Sequence, residues 1–186
     1  MIDNDPTPVI ARRLRQERQK RRWTLDDFAK NTGVSKAMLS KLERGEASPT
    51  AVLLGRISGA LELSLSSLLS DGTTSGSRLV RHAEQPTWED PQTHYVRRQV
   101  SPLTDMPVQL VEIELPSRQE AGFPASAYAF VRQLIWVLSG TLEFVEGVHT
   151  HKLKSGDCLE LGPPADCVFR NPGRSACRYL VVLARR

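Results

Sequence analysis

Thr24–Glu43, TLDDFAKNTGVSKAMLSKLE, is the stretch whose reading decides the fold. Leu25, Phe28 and Ala29 recur at helical spacing in its first half. Gly33 breaks the pattern, and Val34, Met38, Leu39 and Leu42 resume it. Thr24 and Ser35 stand at the two N-cap positions, where a hydroxyl accepts an orphan N–H of the first turn. Gly33 can take the positive φ that ends a helix. The stretch predicts a helix, a tight glycine turn and a second helix.

Outward from it, more helices follow. A first helix is expected from Thr7 to Arg22, with Ile10 and Leu14 inward, Pro8 in its first turn and Trp23 closing it. Gly45 is expected to cap the helix that ends at Arg44. Thr50 opens a fourth helix carrying Leu54, Ile57 and Leu61, and Ser64 or Ser66 opens a short fifth with Leu65, Leu68 and Leu69. Ala51, Gly55 and Gly59 form a small-residue stripe on the fourth helix. Glycine inside a helix costs about 1 kcal/mol against alanine, so the stripe predicts close packing, with another helix as the expected partner.

Charge is distributed unevenly. Residues 1–70 hold 12 Lys/Arg against 8 Asp/Glu, whereas residues 71–186 hold 13 of each. The whole excess lies beside the helix-turn-helix pattern, in Arg12-Arg13-Leu14-Arg15 and Lys20-Arg21-Arg22. That is the electrostatic footprint of a phosphate-backbone partner; a solvated helix face is the alternative for those runs alone. No apolar run reaches membrane-spanning length and the N-terminus does not read as a signal peptide, so no membrane partner and a cytoplasmic location are expected. Cys158, Cys167 and Cys177 form no CxxC pair, which argues against a disulfide framework or a structural zinc site.

With Leu14, Arg18, Ala29, Gly33-Val34-Ser35, Leu39-Ser40, Glu43-Arg44-Gly45, Ser48-Pro49 and Leu54…Ile57 in place, residues 14–69 resemble the five-helix DNA-binding domain of the XRE (Cro/phage-repressor) family. The resemblance implies a second motif helix in the DNA major groove. Ser35, Lys36 and Ala37 would open it, with Ser40 and Lys41 one turn on. The lysines could meet guanine edges or phosphates, and Ala37 a thymine methyl. Thr24 and Leu25 would stand where backbone amides hold phosphate. Arg44 and Lys20 are further phosphate candidates, while Arg18 and Glu43 match a buried ion pair. A homodimer on a palindromic operator in double-stranded DNA is expected.

Ser70–Ser77 is small and polar, an expected flexible linker across 70–77. Residues 78–186 then read as short alternating strands between turns: Arg78–His82, His94–Val100, Val108–Glu114, Gln133–Leu138, Thr141–Val145, Thr150–Leu153, Cys158–Leu161, Cys167–Arg170 and Arg178–Leu183. The fold class is therefore multidomain, α then all-β, with an N-terminal bundle over 7–69 and a small β-sandwich or jelly-roll barrel after the linker. The Ser155-Gly156-Asp157 and Asn171-Pro172-Gly173 turns make the barrel similar to cupins, and the layout similar to XRE-type regulators with a C-terminal cupin sensor.

Metal-bearing cupins carry a His pair, a Glu and a further His. At the matching positions stand Ser126–Ala129, Gln133 and Cys167. No metal, cofactor or catalytic residue is expected from this set. His149 and His151 fall at a hairpin beyond the motif and should face solvent. The barrel mouth could hold an unknown small-molecule effector against Tyr128, Gln133, Cys167 and Phe169, with Arg132 and Trp136 as further candidates. If Gln133 points in, Trp136 points out, towards a dimer partner. The expected function is a transcriptional regulator and not an enzyme. The alternatives are a metal-dependent cupin enzyme that kept a DNA-binding domain, a sensor oxidised at Cys167, and a barrel serving only dimerisation.

Overall fold

Five helices follow the apolar spacing: α1 Thr7–Lys20, α2 Leu25–Thr32, α3 Lys36–Glu43, α4 Ala51–Leu61 and α5 Leu65–Leu68. The computed structural model describes residues 6–70 and 77–185, so most of the expected linker lies outside the described residues. Ile10, Leu14, Phe28, Leu39, Leu42, Leu54, Ile57, Leu61 and Leu68 are buried together. Each such side chain contributes about 1.5–3 kcal/mol relative to exposure. Thr24, Ser35, Thr50 and Ser64 each accept a backbone N–H from the residue three positions on. Gly33 ends α2 at φ 65°. The first helix stops at Lys20 instead of Arg22, because Arg22 takes φ 56° and turns the chain into α2.

Among the described residues ten strands follow: β1 Thr87–Glu89, β2 Val96–Gln99, β3 Val108–Leu115, β4 Glu120–Phe123, β5 Val131–Ser139, β6 Thr141–Glu146, β7 His149–Lys154, β8 Cys158–Glu160, β9 Cys167–Arg170 and β10 Cys177–Arg185. One sheet has the order β1-β2-β3-β10-β5-β8, the other β4-β9-β6-β7, and all pairs are antiparallel. With β3 to β10 lettered B to I, the sheets read B-I-D-G and C-H-E-F, the order of an eight-stranded jelly roll. This is the cupin-type arrangement, as an open two-sheet barrel. The sheets meet through stacked rings: Phe169 of β9 lies parallel to Tyr179 of β10 at 5.8 Å and 4.8 Å from Phe144 of β6. Asn171 pins the Asn-Pro-Gly turn by donating to the carbonyls of Leu115 and Ser175 while accepting from the Gly173 N–H.

Arg78–His82 is not a strand; the chain there leads into a 3-10 turn at His82–Glu84 closed by the Arg81 and Glu84 backbones. The strands β1 and β4 replace it in number. Both are short, and Gly122 or flanking prolines dilute their alternation.

The small-residue stripe of α4 does meet a close neighbour, but a turn instead of a helix. The end of β4 and the 3-10 turn Ala125–Tyr128 pack on it. A Cβ on Gly55 would stand 2.9 Å from the Phe123 ring, and one on Gly59 only 2.3 Å from the Ser126 hydroxyl. Asp90, in the loop after β1, accepts the Ala51 N–H at the start of α4 at 2.5 Å. The bundle and the barrel are therefore joined by a packed, polar-pinned seam.

Candidate nucleic-acid interface and candidate effector cup

The motif helix α3 is held by its inner face, where Leu39 and Leu42 are buried and Met38 half-buried. Ser35, Lys36, Ala37 and Lys41 are exposed on the opposite face, Ser40 is half-buried, and Arg44 is exposed at the helix end. The spacing thus brings all six expected readers to one surface. Lys36 pairs with Asp26 at 2.8 Å, with both side chains more than half exposed. Arg44 pairs with Glu46 at 2.6 Å and donates to the Ser40 hydroxyl. Exposed pairs like these are worth about 0–1 kcal/mol, so they exchange readily for phosphate oxygens.

Thr24 and Leu25 open α2 beside this face. The Thr24 amide donates to Asp27 Oδ2 at 2.9 Å in a capping box, so it is already engaged. Those bonds, the Thr24 hydroxyl first and its amide second, hold the Asp27 carboxyl below the usual carboxylate range.

Beneath the face lies a clamp. Arg18 grips Glu43 with two bonds, Nε to Oε1 at 2.6 Å and Nη2 to Oε2 at 2.8 Å, and donates to the Trp23 carbonyl at 2.9 Å. The Glu43 side chain is 7% exposed. This is the buried pair expected from the sequence, and it fixes the end of α3 to α1. A second buried acid was not singled out from sequence. Glu17 gathers Arg13, Lys20 and Arg21 at 3.2, 2.9 and 2.6 Å. Burial raises its pKa, but the bonds from Lys20 and Arg21 and the charge of Arg13 outweigh this and leave the carboxyl below its usual range. Part of the basic excess, Lys20 included, is therefore held by Glu17. The i,i+3 and i,i+4 spacing of Glu17 within that run was the available signal.

In the barrel, a cup of about 710 Å³ opens beside the start of β5 and the loop 161–165. Tyr128, Gln133, Cys167 and Arg132 line it. Phe169 does not; it lines a separate inner cavity of about 50 Å³ together with Tyr128 and Gln133. Strand alternation turns Ile135 inward and leaves Trp136 outward, 45% exposed. The Cys167 thiol is pushed up to about 12 by burial, then by Glu146 and Asp166, and donates to the Ala165 carbonyl at 3.2 Å. It is a protonated, poorly nucleophilic thiol.

The cup's residues do not fit a transition metal. Gln133 offers a neutral amide and Cys167 a protonated sulfur. Glu146 accepts from the Gly162 N–H and Glu160 from Arg132. Among the described residues no three His, Cys, Asp or Glu side chains gather as a metal site. His149 is exposed on β7, and His151 is half-buried with its ring stacked on Phe144 at 6.3 Å. Among the described residues no helix is long and apolar enough to cross a membrane.

Known proteins resemble the chain in two ways. Residues 14–68 match the HTH_3 helix-turn-helix family. The HTH-type transcriptional regulator SutR of Escherichia coli (strain K12) is 44% identical over 61 residues, 33% of this chain and 34% of SutR. The HTH-type transcriptional regulator SinR of Bacillus subtilis (strain 168) is 31% identical over 64 residues, 34% of this chain and 58% of SinR. The chain thus matches about a third to three-fifths of the length of these curated relatives. A crystal structure of an HTH_3 family transcriptional regulator from Vibrio cholerae superposes over 99% of both chains, with a TM-score of 0.78 and 26% identity.

Proposed function

We propose that this chain, whose residues 14–68 match the HTH_3 helix-turn-helix family, is a sequence-specific DNA-binding transcriptional regulator controlled through its barrel. The observation that carries the reading is the face of α3, where Ser35, Lys36, Ala37, Lys41 and Arg44 are all exposed above a buried clamp. Lys36, Ala37, Ser40 and Lys41 contact base edges and flanking phosphates. Thr24, Leu25 and Arg44 hold the backbone and set the register. The family name and the full-length likeness to the Vibrio cholerae regulator support this.

A homodimer on a palindromic operator completes the proposal. Leu134 and Trp136, 38% and 45% exposed, lie beside Val182 and Leu180 on the outer face of the larger sheet. That apolar face suits a second copy and would space two α3 helices over two half-sites.

The cup receives a small molecule and does not turn it over. Its thiol is protonated and its carboxylates are engaged, which leaves binding as its chemistry. Tyr128 lines the cup at one end of the 3-10 turn, whose Ser126 rests on Gly59 of α4. A ligand that moves Tyr128 therefore bears on the bundle.

A mobility shift with duplex DNA from upstream of the chain's own gene tests the first claim. A retarded complex at low salt is expected, and no retardation of any such fragment overturns it. Elemental analysis of the purified protein tests the second, since stoichiometric iron, manganese or zinc contradicts a binding cup.

A further inference from the structure

The seam between bundle and barrel holds a buried cation with no anion. Arg97 of β2 is 7% exposed, and its Nη2 donates to the Ser66 hydroxyl of α5 at 2.7 Å. Among the described residues no carboxylate forms an ion pair with it. Asp90, a buried acid of the same seam, is occupied: Oδ2 takes the Ala51 N–H and Oδ1 the N–H groups of Gln92 and Thr93. A guanidinium stays charged when buried, and taking it out of water uncompensated is costly.

Arg97 lines the inner cavity of about 50 Å³, together with Tyr95, Tyr128, Tyr179 and Gln133. Burial raises the pKa of all three phenols, so they stay protonated and can donate. Arg97, the three tyrosines, Gln133, Ser58 and Ser64 are the polar members of a lining that is otherwise apolar, with Leu65, Phe123, Phe169, Val181 and Leu183 among it. The chamber's volume suits a carboxylate group and excludes a whole metabolite. Tyr128, Val131 and Gln133 line both this chamber and the 710 Å³ cup, so they are the wall between them.

We infer that the effector is a small carboxylate whose body sits in the cup and whose charged end displaces the shared wall to bind Arg97. The inference rests on the cup being the effector site. It also supplies a route to the DNA-binding domain. The guanidinium that binds the carboxylate is the one bonded to Ser66 of α5. A ligand that draws Arg97 towards the cup weakens that bond and shifts the docking of bundle on barrel.

Thermal unfolding of the full chain in sodium acetate and sodium butyrate, against sodium chloride at equal ionic strength, tests it. A saturable rise in Tm with a carboxylate and not with chloride is expected, roughly 5–10 °C at about a hundredfold excess over Kd. Arg97→Met should melt at or above the parent in anion-free buffer, since it removes an uncompensated buried charge, and should lose the carboxylate response. A purely structural Arg97 predicts the reverse: a lower Tm and no carboxylate response in either protein. Equal rises with chloride, no rise with either carboxylate, or a response retained in Arg97→Met each overturn the inference. If Arg97→Met does not fold, Arg97→Lys decides. Loss of the planar fork should move the saturation midpoint at least about tenfold higher, and an unchanged midpoint contradicts the assignment. Operator binding measured in the same buffers separates the two readings. DNA binding without a carboxylate response removes this inference alone, and a carboxylate response without DNA binding removes the regulator reading alone.

Discussion

The bundle presents two polar faces built on opposite terms. On the α3 face the charges are exposed, and their partners, Asp26 for Lys36 and Glu46 for Arg44, are exposed too. On the α4–α5 face the contacts are buried and specific: α4 glycines under Phe123 and Ser126, Asp90 on the Ala51 amide, Arg97 on Ser66 of α5. Weak exposed pairs are easily traded for a new partner. Buried ones are costly to break and hold one geometry. The first face is built to exchange partners, the second to transmit position.

That contrast can be broken in graded ways. The largest effect should come from Glu43→Gln, which strips the half-buried Arg18 of its counter-charge beneath the reading face. Removing one partner of a buried pair costs about 3–5 kcal/mol, and denaturant unfolding should show it. A loss under about 1 kcal/mol would place Arg18 in effective contact with solvent. Next is Gly59→Ala, whose Cβ would stand 2.7 Å from the Ser126 Cβ and 2.9 Å from its backbone carbon. Overpacking of this kind costs about 1–3 kcal/mol. Because a free bundle would gain helix propensity from the same change, a stabilised Gly59→Ala protein would show that the seam is not closed in solution.

Glu17 gives the smallest effect, visible as pH dependence. Its folded pKa lies below the usual 4.5. The stability it contributes is thus present above about pH 4.5 and lost as pH falls through the lower folded value. Glu17→Gln should flatten that limb of the stability curve. An unchanged acid limb would mean that other carboxylates carry it.

The bundle was legible in the sequence because its signals are local. Thr24, Ser35, Gly33 and the 3.6-residue spacing each act within a turn or two, and the caps and the αL glycine stand where they were expected. The jelly roll was legible through period-two runs and its Asn-Pro-Gly turn. β4 was not, because Glu120-Ala-Gly-Phe is too short to alternate and gains its strand only by pairing with β9. The seam was half legible: Gly55 and Gly59 announced a close approach but not what approaches. Phe123 and Ser126 lie more than sixty residues away, and no local pattern encodes that meeting. Arg97 escaped notice for the same reason. An arginine in an alternating strand reads as solvent-facing until α5 covers it.

The most direct test of the account is the salt dependence of binding to a duplex from upstream of the chain's own gene, followed by fluorescence anisotropy for the parent and for Lys36→Ala/Lys41→Ala. Tight binding at low salt that weakens steeply as salt rises is expected. The double variant should bind more weakly, with a log–log slope shallower by about one for each lysine on a phosphate and an unchanged Tm. Equal affinity and slope in the two proteins, or no binding at low salt, would contradict it.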